Sequence, residues 1–161
     1  MRVGIYARVS TQDQQTLPMQ LAKMKEYIEN RGWTLTTEVE EVRSGAKTRP
    51  KREELLKMAR RREIDAILVW KLDRFGRSLA DLVTTLDELR ALGVVFVSLT
   101  ESLDFSTPSG RAMAGMLSTF AEFERDMIRE RVIAGIASAR ERGSPHGRPK
   151  TASLKIQKIV D

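Results

Sequence analysis

The chain has 161 residues, 41% hydrophobic and 31% charged, with a formal net charge of +6, which suits one ordinary domain plus a short extension and points towards a polyanionic partner. It has no cysteine and a single histidine, His146, which excludes disulfides, thiol nucleophiles and thiolate metal sites and argues against a Ser-His-Asp triad or a His-based metal centre. There is neither a bilayer-length apolar run nor a signal peptide, so a cytoplasmic protein without membrane contact is expected, its chemistry resting on hydroxyls, carboxylates, amides and arginine.

Val3, Ile5, Ala7 and Val9 alternate with Arg2, Gly4, Tyr6, Arg8 and Ser10, which predicts a strand. Leu17, Leu21, Met24 and Ile28 then recur at helical spacing, with Pro18 in the first turn and Gly32 at the end. A weaker strand is expected over Thr34–Val42. Beyond the loop Ser44-Gly45-Ala46-Lys47-Thr48, Leu55, Leu56, Met58 and Ala59 mark a short helix. Residues 64–70 read as a buried strand. Leu79, Leu82, Val83, Leu86 and Leu89 form the face of a helix ending at Gly93, and residues 94–99 read as a fourth strand. Strands alternating with helices predict an α/β fold, a mostly parallel twisted sheet with helices on both faces.

The last third differs. Residues 109–142 contain no strong helix breaker, and Met113, Met116, Leu117, Phe120, Phe123, Met127, Ile133 and Ile136 recur at spacings of three and four. A helix of that span is roughly 45–50 Å long, more than a small domain is wide. Part of its apolar stripe must find a partner elsewhere, and an oligomer interface is the economical reading. Residues 143–150, Gly-Ser-Pro-His-Gly-Arg-Pro-Lys, form a turn-rich basic linker, and residues 151–161 look like the start of another helix. The expected division is thus a core over 1–108, an interface helix over 109–142, a linker over 143–150 and a helix start over 151–161.

Ligands of parallel α/β sheets bind beyond the carboxyl ends of the strands, and unusual polar residues follow each strand here. Arg8 and Ser10 close the first and share a face. Glu41, Arg43 and Ser44 follow the second, Lys71, Asp73, Arg74 and Arg77 the third, and Thr100 and Glu101 the fourth. A phosphodiester attacked by an alcohol gathers negative charge on its non-bridging oxygens. Arginine meets that need with a permanent charge and a fixed fork of donors. The serine must also lose a proton, because its hydroxyl is a weak nucleophile. Arginines lowering its pKa and a carboxylate accepting the proton both remain open as routes.

Tyr6-Ala7-Arg8-Val9-Ser10-Thr11, Ser44-Gly45, Leu72-Asp73-Arg74-Phe75-Gly76-Arg77-Ser78, Glu122-Phe123-Glu124-Arg125 and Gly147-Arg148-Pro149 occur in this order. Together they resemble the resolvase/invertase family of serine site-specific recombinases, over residues 1 to about 150. The resemblance implies attack by Ser10 on DNA, giving a 5′-phosphoserine link and a free 3′-hydroxyl, then strand exchange and religation in a synaptic tetramer. It implies no metal, nucleotide or other cofactor for the chemistry. It also implies that Arg8, Arg74 and Arg77 bind the scissile phosphate, that Asp73 orients them or handles protons, and that Gln20 and Arg125 belong to the site. Glu124 supports Arg125 or an interface. Two departures stand out: Glu41 occupies a position usually held by Asp, and Arg49 and Arg52 compete for one arginine. Arg52 is favoured by its spacing to Leu55.

Simpler readings compete at several positions. Ser10 alone reads as a helix cap, Tyr6 as packing, Asp73 and Arg77 as a helical ion pair, and Ser78 with Asp81 as a capping box that leaves Asp81 no chemistry. Arg60-Arg61-Arg62 reads as a solvated helix end, and His146 as a linker residue. An arginine in an extended arm suits a narrow minor groove, which assigns Arg148 to DNA, with Arg140, Arg142 and Lys150 on phosphates. The expected partners are double-stranded DNA and further copies of the chain, as dimer and tetramer through the long helix. Residues 151–161 then read as the start of a truncated helix-turn-helix, so weak, salt-sensitive and poorly sequence-specific DNA binding is expected. Two rivals stand beside this reading: a small phosphodiesterase or phosphatase using Ser10, and a non-catalytic DNA-binding regulator.

Overall fold

A computed structural model describes residues 1–10, 13–42 and 49–143. The Ser44-Gly45 motif, Arg43, His146, Arg148, Lys150 and residues 151–161 lie outside the described residues. The first of two units, Met1–Glu122, holds the sheet, and the second, Phe123–Asp161, begins part-way along the last helix.

Strand β1 (Arg2–Val9) lies between β2 (Thr34–Val42) and β3 (Ala66–Val69), and β4 (Val95–Ser98) and β5 (Leu103–Asp104) complete the order β2-β1-β3-β4-β5. The first four strands are parallel and β5 is antiparallel to β4. The mostly parallel α/β sheet is as the alternation of elements predicts. The third and fourth strands are shorter than their apolar runs, and β5, only two residues long, has no alternation to read.

A 3₁₀ turn (Gln14–Thr16) leads into α1 (Leu17–Asn30), and α2 (Pro50–Arg60), α3 (Leu72–Phe75), α4 (Leu79–Ala91) and α5 (Pro108–Glu141) follow. Prolines enter α1, α2 and α5 in their first turn, where the missing amide hydrogen costs no helical bond. Ser78 caps α4 by accepting the Asp81 amide at 3.1 Å.

The two sheet faces have separate cores. Val3, Ile5, Ala7 and Val9 pack with Leu17, Leu21, Met24 and Ile28 of α1, whereas Tyr6 joins Leu55, Ile67, Phe75, Leu86 and Phe96 on the opposite face. Because β1 has a strand on each edge and helices on both faces, Gly4 and Tyr6 are buried as well as Val3, Ile5, Ala7 and Val9. A Cβ on Gly4 would stand 2.5 Å from the Leu55 Cδ1 atom, so glycine is what lets α2 approach the sheet here.

This wiring creates the site. The chain leaves β1 towards β2 by α1 on one face, then crosses back to β3 by α2 on the other. The carboxyl ends of β1 and β3 therefore flank a topological switch point, where connections diverge and leave a crevice.

Helix α5 covers the run expected to be helical. In the first unit it leaves Met113, Met116 and Phe120 exposed, and in the second Phe123, Met127, Ile128, Val132 and Ile133 are exposed. Among the described residues no helix is long and apolar enough to cross a membrane. At its start, a Cβ on Gly110 would fall 1.9 Å from the Asp104 carbonyl oxygen, whereas one on Gly115 would meet nothing within 4 Å. Gly110→Ala is accordingly expected to destabilise the protein by about 1–3 kcal/mol or more through forced backbone movement. Gly115→Ala should be neutral or stabilising by up to about 1 kcal/mol through helix propensity. Thermal or urea unfolding of the two variants measures the contrast.

Candidate active site

Ser10 follows the last residue of β1 and is half-buried at the switch point. It does not cap α1, whose N-cap is Thr16. Its hydroxyl donates to the Asp13 Oδ2 atom at 2.7 Å, and the Asp13 amide donates to the Ser10 carbonyl at 3.1 Å and to its Oγ at 3.3 Å. The Thr16 amide and hydroxyl both donate to the Asp13 carbonyl, at 3.0 and 2.8 Å, and Gln20 Nε2 donates to Thr16 Oγ1 at 3.0 Å. A ladder of hydrogen bonds thus runs from Ser10 to Gln20. The Gln20 Oε1 atom is buried without a hydrogen-bond partner among the described residues.

A cleft of about 300 Å³ opens here, lined among others by Arg8, Asp13, Gln20, Lys71, Arg74 and Thr100. The elements responsible are β1 for Arg8, α1 for Gln20, and the segment following β3 for Lys71 and Arg74. Among the described residues the Arg8 guanidinium makes no hydrogen bond or ion pair, which leaves its donors available to an incoming anion.

Segment 71–76 is held from several sides. Glu101, hydrogen-bonded to the Ser98 hydroxyl, accepts the Leu72 amide at the start of α3 with both carboxylate oxygens at 3.4 Å. Thr100 Oγ1 donates to the Trp70 carbonyl at 2.5 Å. At the other end of α3, the Arg49 Nη1 atom donates to the carbonyls of Arg74 at 3.1 Å and Phe75 at 2.5 Å. Phe75 itself is fully buried between Tyr6 and Phe96, at ring separations of 5.4 and 5.0 Å.

Tyr6 is more than packing. Its hydroxyl donates to the buried Glu41 carboxylate at 2.5 Å, while the other oxygen of Glu41 accepts the Lys51 amide near the start of α2 at 3.2 Å. Burial first, and then the Glu41 hydrogen bond, push the Tyr6 hydroxyl well above its ordinary range, so it remains a donor. Burial pulls the Arg49 guanidinium below its usual value; Tyr6 and Glu41 oppose that, and the nearby charges of Arg8 and Arg52 add to it.

The two competing arginines separate. Arg52 is 3% exposed, directs Nη2 to Thr85 Oγ1 at 2.7 Å and to Asp81 Oδ2 at 3.2 Å, and sets its guanidinium over the Phe75 ring at 4.7 Å. It does not line the cleft that Arg8, Asp13 and Arg74 line. Arg49 holds the carbonyls of the segment that carries Arg74. The Asp81 amide donates to the Ser78 cap as expected, but its carboxylate also accepts the Arg77 amide at 2.9 Å and pairs with the buried Arg52. It therefore has a structural task that the capping reading did not give it.

Asp73 and Arg77 do not form the helical pair that their spacing allows, because α3 ends at Phe75 and Gly76 is extended. The Asp73 carboxylate lies 3.7 Å from Arg74 and 3.8 Å from Lys71, and Arg77 is exposed. Arg125, Arg140 and Arg142 are exposed residues of the second unit, with Arg142 bonded to Ser138 Oγ at 2.7 Å. Sequence reasoning passed over Asp13, Glu101 as an anchor, and Thr85. For Asp13 a signal existed: a carboxylate three residues after a strand-end serine, at the spacing of a turn.

Residues 3–145 match the family described as "Resolvase, N terminal domain". The chain is 42% identical over 149 residues to a DNA-invertase of Enterobacteria phage P7, covering 92% of this chain and 75% of that protein. It is 41% identical to the serine recombinase gin of Escherichia phage Mu, with 92% and 72% covered. The Tn917 resolvase of Enterococcus faecalis is 36% identical, with 94% and 78% covered. Among solved structures, the N-terminal catalytic domain of TP901-1 integrase matches with a TM-score of 0.71 at 34% identity, covering 79% of this chain and 98% of that one. A resolvase family site-specific recombinase from Streptococcus pneumoniae matches with a TM-score of 0.77 at 28% identity, covering 87% and 99%. Family match, relatives and fold agree with the motif order read from the sequence, and the chain belongs to the resolvase/invertase family of serine site-specific recombinases, of which it carries the catalytic domain.

Proposed function

We propose that this chain cleaves and rejoins DNA at specific sites with Ser10 as nucleophile, through a covalent 5′-phosphoserine intermediate. The observation that supports this reading is the cleft at the switch point, lined by Arg8, Lys71, Arg74 and the Asp13 to which the Ser10 hydroxyl donates. Ser10 Oγ attacks the scissile phosphorus, and the 3′-oxygen leaves. Arg8 and Arg74 take the non-bridging oxygens, whose charge rises in the transition state, and preorganised guanidinium groups stabilise that charge without reorganising. Gln20, which lines the same cleft, orients the substrate. Arg77 and Asp73 complete the polar segment beside Arg74, and Arg125 is assigned to the chemistry by its motif alone. Arg52 acts at one remove, by supporting Phe75 and hence α3. Because the phosphoester bond is exchanged for another of similar energy, religation needs no external energy source.

Arg140 and Arg142, with Arg148 and Lys150, contact DNA phosphates and the minor groove and so favour double-stranded DNA as substrate. The exposed apolar residues of α5 are covered by further copies of the chain, as dimer and synaptic tetramer, because a contiguous apolar stripe of this kind marks an association surface.

Incubation with a nicked suicide substrate should trap a protein–DNA adduct mapping to Ser10, and Ser10→Ala should abolish it. Hydrolysed DNA ends without an adduct would favour a phosphodiesterase or phosphatase, and unchanged biological activity of Ser10→Ala a non-catalytic regulator. Phe120→Glu should weaken self-association measured by sedimentation while leaving the thermal unfolding midpoint nearly unchanged, since Phe120 is 57% exposed.

A further inference from the structure

Resting on the recombinase reading, we infer that Asp13 is the base that takes the Ser10 proton during cleavage and returns it during religation. The Ser10 hydroxyl points its hydrogen at Asp13 Oδ2 across 2.7 Å, within the range at which a general base acts. The pair is preset rather than accidental. The Asp13 amide is bonded back to Ser10, and both donors of Thr16 fix the Asp13 carbonyl, so the carboxylate is held in place by main-chain geometry. Asp13 also lines the cleft with Arg8, Lys71 and Arg74.

The other carboxylates near the strand ends are engaged elsewhere. Glu41 accepts from Tyr6 and the Lys51 amide, Glu101 from Ser98 and the Leu72 amide, and Asp73 lies between Lys71 and Arg74. The chain has one histidine, at position 146, and no cysteine. Asp13 is thus the acceptor that Ser10 meets among the described residues.

In the cleavage step the Ser10 proton passes to Asp13 Oδ2, and the freed electron pair forms the Oγ–P bond. The P–O3′ bond breaks with its electron pair on the 3′-oxygen, which takes a proton from water. In religation the 3′-hydroxyl loses its proton to water and attacks phosphorus. The Oγ–P bond then breaks, and Asp13 returns its proton to Ser10.

Suicide-substrate cleavage by the full chain, followed as adduct formation against pH, tests this. Asp13→Asn preserves size and turn-forming capacity but not basicity. It should slow adduct formation by about 100-fold or more and remove the acid limb of the pH–rate profile, while Asp13→Glu restores part of the rate. The surrounding charges of Arg8, Lys71 and Arg74 are unchanged in all variants. A Ser10→Cys background separates chemistry from positioning, because a thiol ionises near pH 8.5 without help. Above that pH, adding Asp13→Asn to Ser10→Cys should cost less than about tenfold if the carboxylate serves as base.

An Asp13→Asn rate and pH profile matching the wild type would overturn the inference. So would an equal loss in the serine and cysteine backgrounds, which would make Asp13 a positioning residue. A wild-type chain that forms no adduct would remove the recombinase reading itself and this inference with it.

Discussion

The four-residue helix α3 is too short to hold itself, and the placement of the cleft's charges depends on how it is pinned. Glu101 takes its first amide, Arg49 takes its last carbonyls, and Phe75 anchors it in the core between Tyr6 and Phe96. Carboxylate at the amino end and guanidinium at the carboxyl end are the charges that helix termini favour. With both ends satisfied by separate elements, Lys71 and Arg74 project beside the end of β1 rather than into solvent at large.

That arrangement divides the arginines by task. Arg49 and Arg52 are buried and committed to carbonyls, Thr85, Asp81 and the Phe75 ring. Removing a partner from such a group leaves a buried charge uncompensated, which costs several kcal/mol by general experience. Arg8 and Arg74, by contrast, line the opening where an anion would sit. A positive interior layer behind a positive cleft raises the local potential there, which favours an anion in that opening. The Tyr6–Glu41 bond supplies negative charge within that layer and ties β1 to β2 while β2 in turn accepts the start of α2.

Much of the architecture was legible because it rests on periodicity. Leu17, Leu21, Met24 and Ile28 announced α1, the apolar runs announced β3 and β4, and alternation of strand and helix implied a mostly parallel sheet. Alternation along β1 marked a strand but did not show that both its faces are enclosed, so that Tyr6 is buried as Ile5 is. The two residues of β5 and the four of α3 carry no period at all. At the site, Arg8, Ser10, Gln20 and Arg74 were nominated and share a neighbourhood. The choice between Arg49 and Arg52 was made on spacing, and spacing along a chain does not say which face of α2 an arginine leaves from. One turn separates a side chain that grips α3 from one that lies against α4.

The strand-end serine proposed as nucleophile, the surplus of arginine, the single histidine and absence of cysteine, and the order of motifs were all legible in the sequence alone, because they are matters of residue identity and order. Which carboxylate meets Ser10 was not. Asp13, Glu41, Asp73 and Glu101 are equivalent as acids on paper. Only the tertiary structure gives three of them other partners and leaves Asp13 at 2.7 Å from the serine hydroxyl. Hydrogen-bond pairing depends on distance and direction between elements far apart in sequence, and those are fixed when the strands align and the chain reverses across β1.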